Sequence, residues 1–186
     1  MKTVVKTAVA ASLAMGIAVS ANAAGTNTGT VTFTGTIEDS PCSIVVGDEH
    51  QTVNLGHIGT ASLLNGGQSS AVDFKIGLEN CTFTTETTMS TVFSATGNES
   101  TANAGNIALM GTNGEMAGSS IVLATYKGAQ IKLGDADSQA LTLDAKSVGL
   151  AEQTLNFKAW VKGDAGATTI DTGEFSSVVN FAISYL

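Results

Sequence analysis

The 186-residue sequence contains no arginine, and its eight lysines stand against sixteen acidic residues. Proteins that bind nucleic acid contact the phosphates through clusters of Lys and Arg. The composition therefore excludes nucleic acid as a partner. The simplest interpretation of the acidic excess is that its negative charge keeps the surface of an exported protein soluble.

Groups that could perform catalysis or bind a metal are also few. His50 and His57 are the only histidines, and zinc or copper sites need three or four ligands. Neither a G-x-S-x-G motif nor a phosphate-binding glycine loop is present. Asp135 and Asp137 lack the further carboxylate of a calcium loop and indicate a solvated turn. We expect no enzyme activity and no catalytic, cofactor-binding or metal-binding residues.

The longest uncharged apolar run lies at the beginning of the chain, in residues 7–19, after Lys2 and Lys6. It is short for a membrane span, and Ala21-Asn22-Ala23 follows it as a cleavage signal. The pattern predicts a signal peptide at residues 1–23, export from the cytoplasm and no membrane insertion. The remaining chain has six basic and sixteen acidic residues, a net charge of −10.

Cysteine is also rare, and the sequence contains two, Cys42 and Cys81. Two cysteines in an exported protein are expected to pair. The loop that they would close has about forty residues, for which chain entropy predicts a stabilisation of about 4 kcal/mol. No histidine stands near either cysteine with the spacing of a metal site.

Short alternating segments separated by turn residues fill the rest of the chain, and the full sequence has twenty-one glycines and one proline. In residues 72–81 the apolar side chains of Val72, Phe74, Ile76 and Leu78 occupy every second position, as in a half-buried strand. Many such segments predict an all-β sandwich or barrel in one domain. The other predicted strands are residues 43–46, 51–58, 91–95, 108–110, 120–126, 130–133, 141–143 and 155–161.

The last fourteen residues, 173–186, carry the most information. Every second position from Phe175 to Tyr185 falls on one face of a predicted strand, and most of these positions are apolar. The strand is the last in the sequence, so no following strand pairs with its free edge. An apolar edge strand of this kind is expected to need a partner from another chain.

Residues 24–37 form a predicted N-terminal arm without charge until Glu38. Its apolar and glycine positions share one face, whereas threonines occupy the other. Fourteen strand-competent residues are more than one edge strand usually needs. The face that alternates with the threonines consists of Gly29, Val31, Phe33 and Gly35.

Five ordered motifs resemble those of the major pilins of type 1 and P-type chaperone–usher fimbriae. They are G-x-V-x-F-x-G in the arm, Pro-Cys at 41–42, V-x-L-G at 53–56, F-x-I-x-L-x-x-C at 74–81, and the closing strand with its fourteenth-from-last Gly173 and penultimate Tyr185. The resemblance implies an incomplete immunoglobulin-like β-sandwich, residues 38–186, that lacks its seventh strand. The arm of the next subunit would fill the gap by donor-strand exchange.

The resemblance also implies partners and roles. The partners are other copies of the chain and fellow pilins, a periplasmic chaperone and an outer-membrane usher, and the destination is a fimbria on the bacterial surface. Gly29, Val31, Phe33 and Gly35 would be donor residues, with Gly29 where the groove floor is raised. The acceptor and chaperone-binding positions would be Gly173, Val179, Phe181, Ile183, Tyr185 and the carboxylate of Leu186.

Other functions stay open at this point. A minor adaptor or terminator pilin of the same fibre would share these motifs. A small outer-membrane β-barrel would fit the size and the closing aromatic strand. The disulfide, the 5% aromatic content and the final Leu186 argue against a barrel. A secreted enzyme is disfavoured by the missing catalytic groups.

Overall fold

A computed structural model describes residues 29–186. The predicted signal peptide and the first five residues of the arm lie outside this range. Within it, residues 29–37 form no helix or strand, and residues 38–186 form one compact unit. Among residues 29–186, no helix has the length and apolar character needed to cross a membrane.

The compact unit consists of two open β-sheets. The strands are β1 Ser43–Ile44, β2 Val72–Glu79, β3 Thr88–Ser94, β4 Ile107–Gly111, β5 Gly114–Thr125, β6 Gln130–Ile131, β7 Ala136–Ala140, β8 Gln153–Gly163 and β9 Asn180–Tyr185. The first sheet has the strand order β1-β2-β8-β5-β4, with β6 added to β5, and the second has the order β7-β3-β9. Three-residue 3₁₀ turns occur at Asp48–His50, Thr60–Ser62 and Leu64–Gly66.

The core lies between the sheets and is formed by alternate residues of the long strands. Phe74 of β2 pairs in register with Phe157 of β8, and their ring centroids are 5.4 Å apart. Phe93 of β3 meets Phe157 edge to face at 5.0 Å and thereby joins the two sheets. The alternation predicted for β2 and β8 is confirmed, and the all-β sandwich follows from it.

Some predicted strands are wrong in position. Residues 51–58 alternate in burial but form no strand, and they make no backbone–backbone hydrogen bond with the described residues. A strand was predicted at residues 141–143, but the strand in this part of the chain is β7, Ala136–Ala140, which belongs to the second sheet. Strand β5 begins at Gly114, six residues before the predicted start at 120. Strand β9 covers only the second half of the predicted closing strand.

Cys42 and Cys81 are joined by a disulfide, as the sequence predicts. Both residues are buried, and the bridge ties the segment before β1 to the end of β2. The main chain continues this connection, since the Thr82 N–H donates to the Pro41 carbonyl at 2.9 Å. The bridge thus anchors the compact unit at the point where the arm departs from it.

We predict that Cys42→Ser sharply lowers the amount of folded protein in the periplasm. Loss of a bridge that closes a 39-residue separation removes about 4 kcal/mol from a sandwich with an open edge. Immunoblots of periplasmic extracts measure the effect, and the double variant Cys42→Ser/Cys81→Ser is the control, expected to match the single variant. Stoichiometric thiol labelling of the denatured, unreduced wild-type protein would contradict the bridge.

Candidate functional site: a groove beside the last strand

Strand β9 is an edge strand of the second sheet. One of its edges pairs antiparallel with β3, from Met89 opposite Tyr185 to Ser94 opposite Asn180. Its other edge has no strand partner among residues 29–186. A β-strand with a free edge presents a row of backbone donors and acceptors to any extended chain that approaches it.

The side chains of this terminal segment alternate as the sequence predicts. Residues at even numbers from 174 to 186 are exposed, and those at odd numbers from 175 to 185 are partly buried. None of the odd-numbered residues is fully buried, although the apolar ones pack against the core. Their apolar surface is therefore only half covered. These core-packed residues are Phe175, Val179, Phe181, Ile183 and Tyr185.

The segment before β9 is held by a different strand. The Ser176 N–H donates to the Met110 carbonyl at 2.9 Å. The Ser177 hydroxyl donates to the Ala108 carbonyl at 2.5 Å and accepts from the Met110 N–H at 3.1 Å. These two backbone groups flank a register shift in the pairing of β4 with β5, between Ala108 and Met110, and the Ser177 hydroxyl provides a hydrogen-bond partner for each of them. The terminal segment thus begins beside β4 and ends beside β3.

Gly173 lies at the start of this segment with φ +152. Side chains rarely tolerate a backbone conformation with positive φ, so glycine is required there for conformational reasons. The prediction that Gly173 opens the closing strand is wrong in detail, because the residue precedes β9 by seven positions. It lies instead at the mouth of the groove described below.

The C-terminal end of β9 is fixed by the loop that precedes β3. The Leu186 main-chain oxygen accepts hydrogen bonds from the N–H groups of Thr87 at 2.6 Å and Thr88 at 2.9 Å. In the same loop, backbone N–H groups, first that of Thr84, lower the pKa of the Glu86 carboxyl to about 2. The carboxylate form favours the folded loop above the usual glutamate pKa, and this contribution is lost as the pH falls towards 2.

Tyr185 is the last inward residue of β9. Its ring lies 6.2 Å from the ring of Phe83, centroid to centroid. Burial raises the pKa of the Tyr185 phenol, and the Glu38 carboxylate raises it further, whereas the Ser40 hydroxyl acts in the opposite direction. The phenol is therefore neutral at physiological pH, as a side chain packed in an apolar site should be.

A groove lies beside the beginning of the terminal segment, between residues 171–175 and residues 52–58. Residues 52–58 form its opposite wall, with Val53 and Ile58 half-buried. A cavity of about 530 Å³ occupies the end of the groove near Gly173 and Phe175. Its floor is apolar and comes from β4, β5 and β8 of the first sheet, from the turn before β2 and from the loop after β8. The floor residues are Leu63, Leu109, Met116, Val161 and Ile170.

This geometry suits one kind of ligand, an extended chain with alternating apolar residues. The free edge of β9 offers backbone hydrogen bonds, each with a net contribution of about 0.5–1.5 kcal/mol. The half-covered apolar row gains about 25 cal/mol for each Å² that the ligand covers. In strand addition of this type, the backbone hydrogen bonds provide affinity, and the alternate side chains determine the register of the bound strand. Residues 29–186 contain no cluster of His, Cys, Asp and Glu that could hold a metal.

The described part of the arm has the properties of such a ligand. Val31 is 77% exposed and Phe33 is 90% exposed. Gly29 and Gly35 have no atom within 4 Å of the position that a Cβ would take, and neither has a positive φ. Nothing in the described chain therefore requires glycine at these two positions.

The structure places Val179, Phe181, Ile183 and Tyr185 on one face of the terminal segment, but none of them lines the cavity, and their acceptor role stays a prediction. Of the predicted acceptor residues, the cavity is lined by Gly173. Residues 52–58 carried a visible signal, because they alternate in polarity and contain the V-x-L-G motif. Their missing backbone partner could not be read from the sequence.

Comparisons with known proteins point to one family. The sequence model of the family described as "Fimbrial protein" matches residues 31–186. An uncharacterized fimbrial-like protein of Escherichia coli K12, YfcV, is 42% identical to this chain over the full length of both. The major MR/P fimbria protein of Proteus mirabilis is 39% identical over 83% of this chain and 82% of that protein.

Solved structures show the same relationship. A subunit in the structure of a chaperone–usher pilus has 27% identity and a TM-score of 0.68, covering 87% of this chain and 98% of the subunit. The crystal structure of the P pilus rod subunit PapA has 25% identity and a TM-score of 0.63, covering 79% of this chain and all of PapA.

Proposed function

This chain belongs to the fimbrial protein family and is a structural subunit of a fimbria, and from that premise we propose that it polymerises by donor-strand insertion. The arm, residues 24–37, of one copy enters the groove of the next copy and pairs with the free edge of β9. The fold class, an incomplete immunoglobulin-like sandwich, agrees with that of the matched pilins. The free, half-covered edge of β9 is the observation that carries the proposal.

Donor insertion accounts for features that the isolated chain leaves unexplained. Val31 and Phe33 lose their exposed apolar surface when they fill the groove of a neighbour. Val179, Phe181 and Ile183 of that neighbour become fully covered at the same time. Gly29 and Gly35 face parts of the groove that leave no room for a side chain. The arm thus supplies the strand that the neighbour lacks.

We propose the repeating rod subunit as the role of this chain within the fibre. The similarity to a major fimbria protein and to a rod subunit supports this role over that of a minor adaptor or terminator. A strain that lacks the gene is expected to carry no rods in electron micrographs. Rods of normal length and number in that strain would assign the chain to a minor position.

We further propose that a periplasmic chaperone covers the groove before polymerisation and that an outer-membrane usher exports the fibre. An apolar groove beside an unpaired strand edge would otherwise associate non-specifically. The chain would pass through the periplasm to the cell surface. Co-purification of the wild-type subunit with a chaperone from periplasmic extracts tests the first step.

The Gly29→Leu variant should polymerise slowly or not at all, whereas its export and chaperone binding should remain normal. A leucine that enters the raised groove floor of a neighbour overpacks it, at a typical penalty of about 1–3 kcal/mol. The measurement is the yield of heat-resistant multimers on denaturing gels. Thr30→Leu, which adds the same side chain to the opposite face of the arm, is the matched control and should polymerise normally. Equal yields from both leucine variants would refute the proposed register.

A further inference from the structure

Ten of the twelve residues between β7 and β8 form an ordered hairpin with an apolar surface. Leu143 and Gly149 form a β-bridge, and the Leu150 N–H donates to the Thr142 carbonyl at 2.9 Å. Leu143 is 51% exposed and Val148 is 53% exposed. Leu150 is also exposed, so one hairpin carries three of the large apolar side chains that residues 38–186 expose. We refer to residues 141–150 as the exposed hairpin.

The tip of the exposed hairpin is held in one conformation. The Asp144 carboxylate accepts hydrogen bonds from the N–H groups of Lys146 at 2.8 Å and Val148 at 2.9 Å. The Asp144 N–H donates to the Val148 carbonyl at 2.8 Å, and Ser147 takes a left-handed backbone conformation with φ 64. Apolar side chains presented on an ordered turn are typical of an interaction surface rather than of a frayed loop.

The base of the exposed hairpin adjoins the disulfide. The Cys81 N–H donates to the carbonyl of Ala151, the residue after the hairpin, at 2.9 Å. A Cβ on Gly149 would lie 2.5 Å from the Phe83 ring, so the hairpin packs closely against the loop after Cys81. Cys42, the other half of the bridge, is the first fixed point after the arm. The exposed hairpin therefore lies at the pole of the subunit from which the arm departs.

The direction of an inserted arm follows from the sheets. Every strand pair in the described chain is antiparallel. The arm, residues 24–37, and the terminal segment, residues 173–186, each contain fourteen residues. An arm that pairs antiparallel with this segment has Ile37 beside Gly173 of the acceptor. The body of the donor then begins at the mouth of the acceptor groove.

The connection between arm and body is too short to separate the two subunits. Five residues lead from Ile37 to Cys42, and a fully extended chain of that length reaches about 17 Å. The donor pole that carries Cys42 and the exposed hairpin is thus held close to the acceptor pole that carries residues 171–174. All four of these acceptor residues are exposed.

We propose that the exposed hairpin of the donor packs against residues 171–174 at the groove mouth of the acceptor, a second copy of this chain. This contact rests on the proposed donor insertion and adds a second interface to it. It covers Leu143 and Val148, closes the end of the groove where the cavity lies, and fixes the angle between successive subunits. The inserted arm supplies the affinity, and the hairpin supplies the orientation.

Cross-linking of intact fibres tests this contact. Val148→Cys and Thr172→Cys are introduced together into the full-length chain, and the fibres are treated with a short bismaleimide. Cys42 and Cys81 are bridged and do not react. The expected result is a covalent ladder that survives complete denaturation. The pair Leu143→Cys/Thr172→Cys is the second test pair, used where the first pair fails to assemble.

Tyr126→Cys combined with Thr172→Cys is the matched control. Tyr126 is 53% exposed, like Val148, and follows the end of β5 that pairs with the first half of β8, where Thr125 lies opposite Phe157. It follows β5, however, which is three strand spacings, or about 14 Å, from β1 at the edge of the sheet. We expect the control pair to give several-fold less covalent multimer than the hairpin pair.

The outcomes separate this contact from the polymerisation mechanism. Fibres that form normally but give no more covalent multimer than the control would overturn the hairpin contact and leave donor insertion intact. Bismaleimide links confined to single chains would overturn it as well. A wild-type chain that forms no heat-resistant multimers at all would refute donor insertion itself, and the hairpin contact with it.

Discussion

Tyr185→Ala is expected to abolish fibre formation and to leave the subunit as a degraded periplasmic monomer. Tyr185 is the last inward residue of β9, and its ring packs beside Phe83 at the C-terminal end of the strand. Its partial burial limits the direct destabilisation of the free subunit to about 2 kcal/mol, below the full cost of a buried aromatic. The larger effect arises on assembly, since the ring also forms part of the surface that a donor or a chaperone must cover.

Two matched variants separate these effects. Tyr185→Phe retains the ring without the hydroxyl and should assemble at close to the wild-type level. Ser184→Ala changes the neighbouring exposed residue of β9 and should also assemble normally. The measurements are co-purification with the chaperone and the yield of multimers. If Tyr185→Ala bound the chaperone and polymerised at wild-type levels, the proposal that β9 is the binding edge for donor and chaperone would be wrong.

Deletion of residues 24–34 is the second change with a large expected effect. The shortened subunit should fold with the chaperone but form no fibres alone, because it has no strand to donate. Its own groove is intact, so it should still accept an arm. Added in small amounts to wild-type subunits, it should therefore terminate chains and shorten the fibres seen by electron microscopy.

A replacement variant isolates the role of the arm's side chains. Substitution of residues 24–34 by a glycine–serine segment of equal length retains the backbone but removes Val31 and Phe33. This variant should also fail to form fibres if apolar filling of the groove is needed, as the half-covered surface of β9 indicates. Long fibres from the deleted subunit alone would show that another segment acts as donor.

The parts of the fold that follow from local pattern could be predicted from the sequence. The period of two along 72–79 and 153–163 predicts which side chains of β2 and β8 enter the core, because successive residues of a strand face opposite sides. The same period along residues 175–185 predicts the half-buried row of the terminal segment. Export and the count of two cysteines predict the disulfide.

The parts that depend on long-range pairing could not be predicted. Strand β7, with the sequence ADSQA, has little intrinsic strand propensity and forms because β3 lies beside it, with Ser138 opposite Ser90. Residues 52–58 show the opposite case, since their strand-like pattern finds no backbone partner. Ser177 is the one polar side chain among the inward residues from 175 to 183, and its hydroxyl bonds to the irregular part of β4.

Hydrogen–deuterium exchange of the soluble chaperone-free subunit and of the assembled fibre tests the central claim most directly. Donor insertion predicts a large gain of amide protection on assembly in three segments, residues 29–37, 52–58 and 180–185. Strand β5 is paired on both sides in the subunit and should change little. Fibres in which the amides of residues 29–37 still exchange as fast as in the subunit would contradict the claim that the arm completes the neighbouring sandwich.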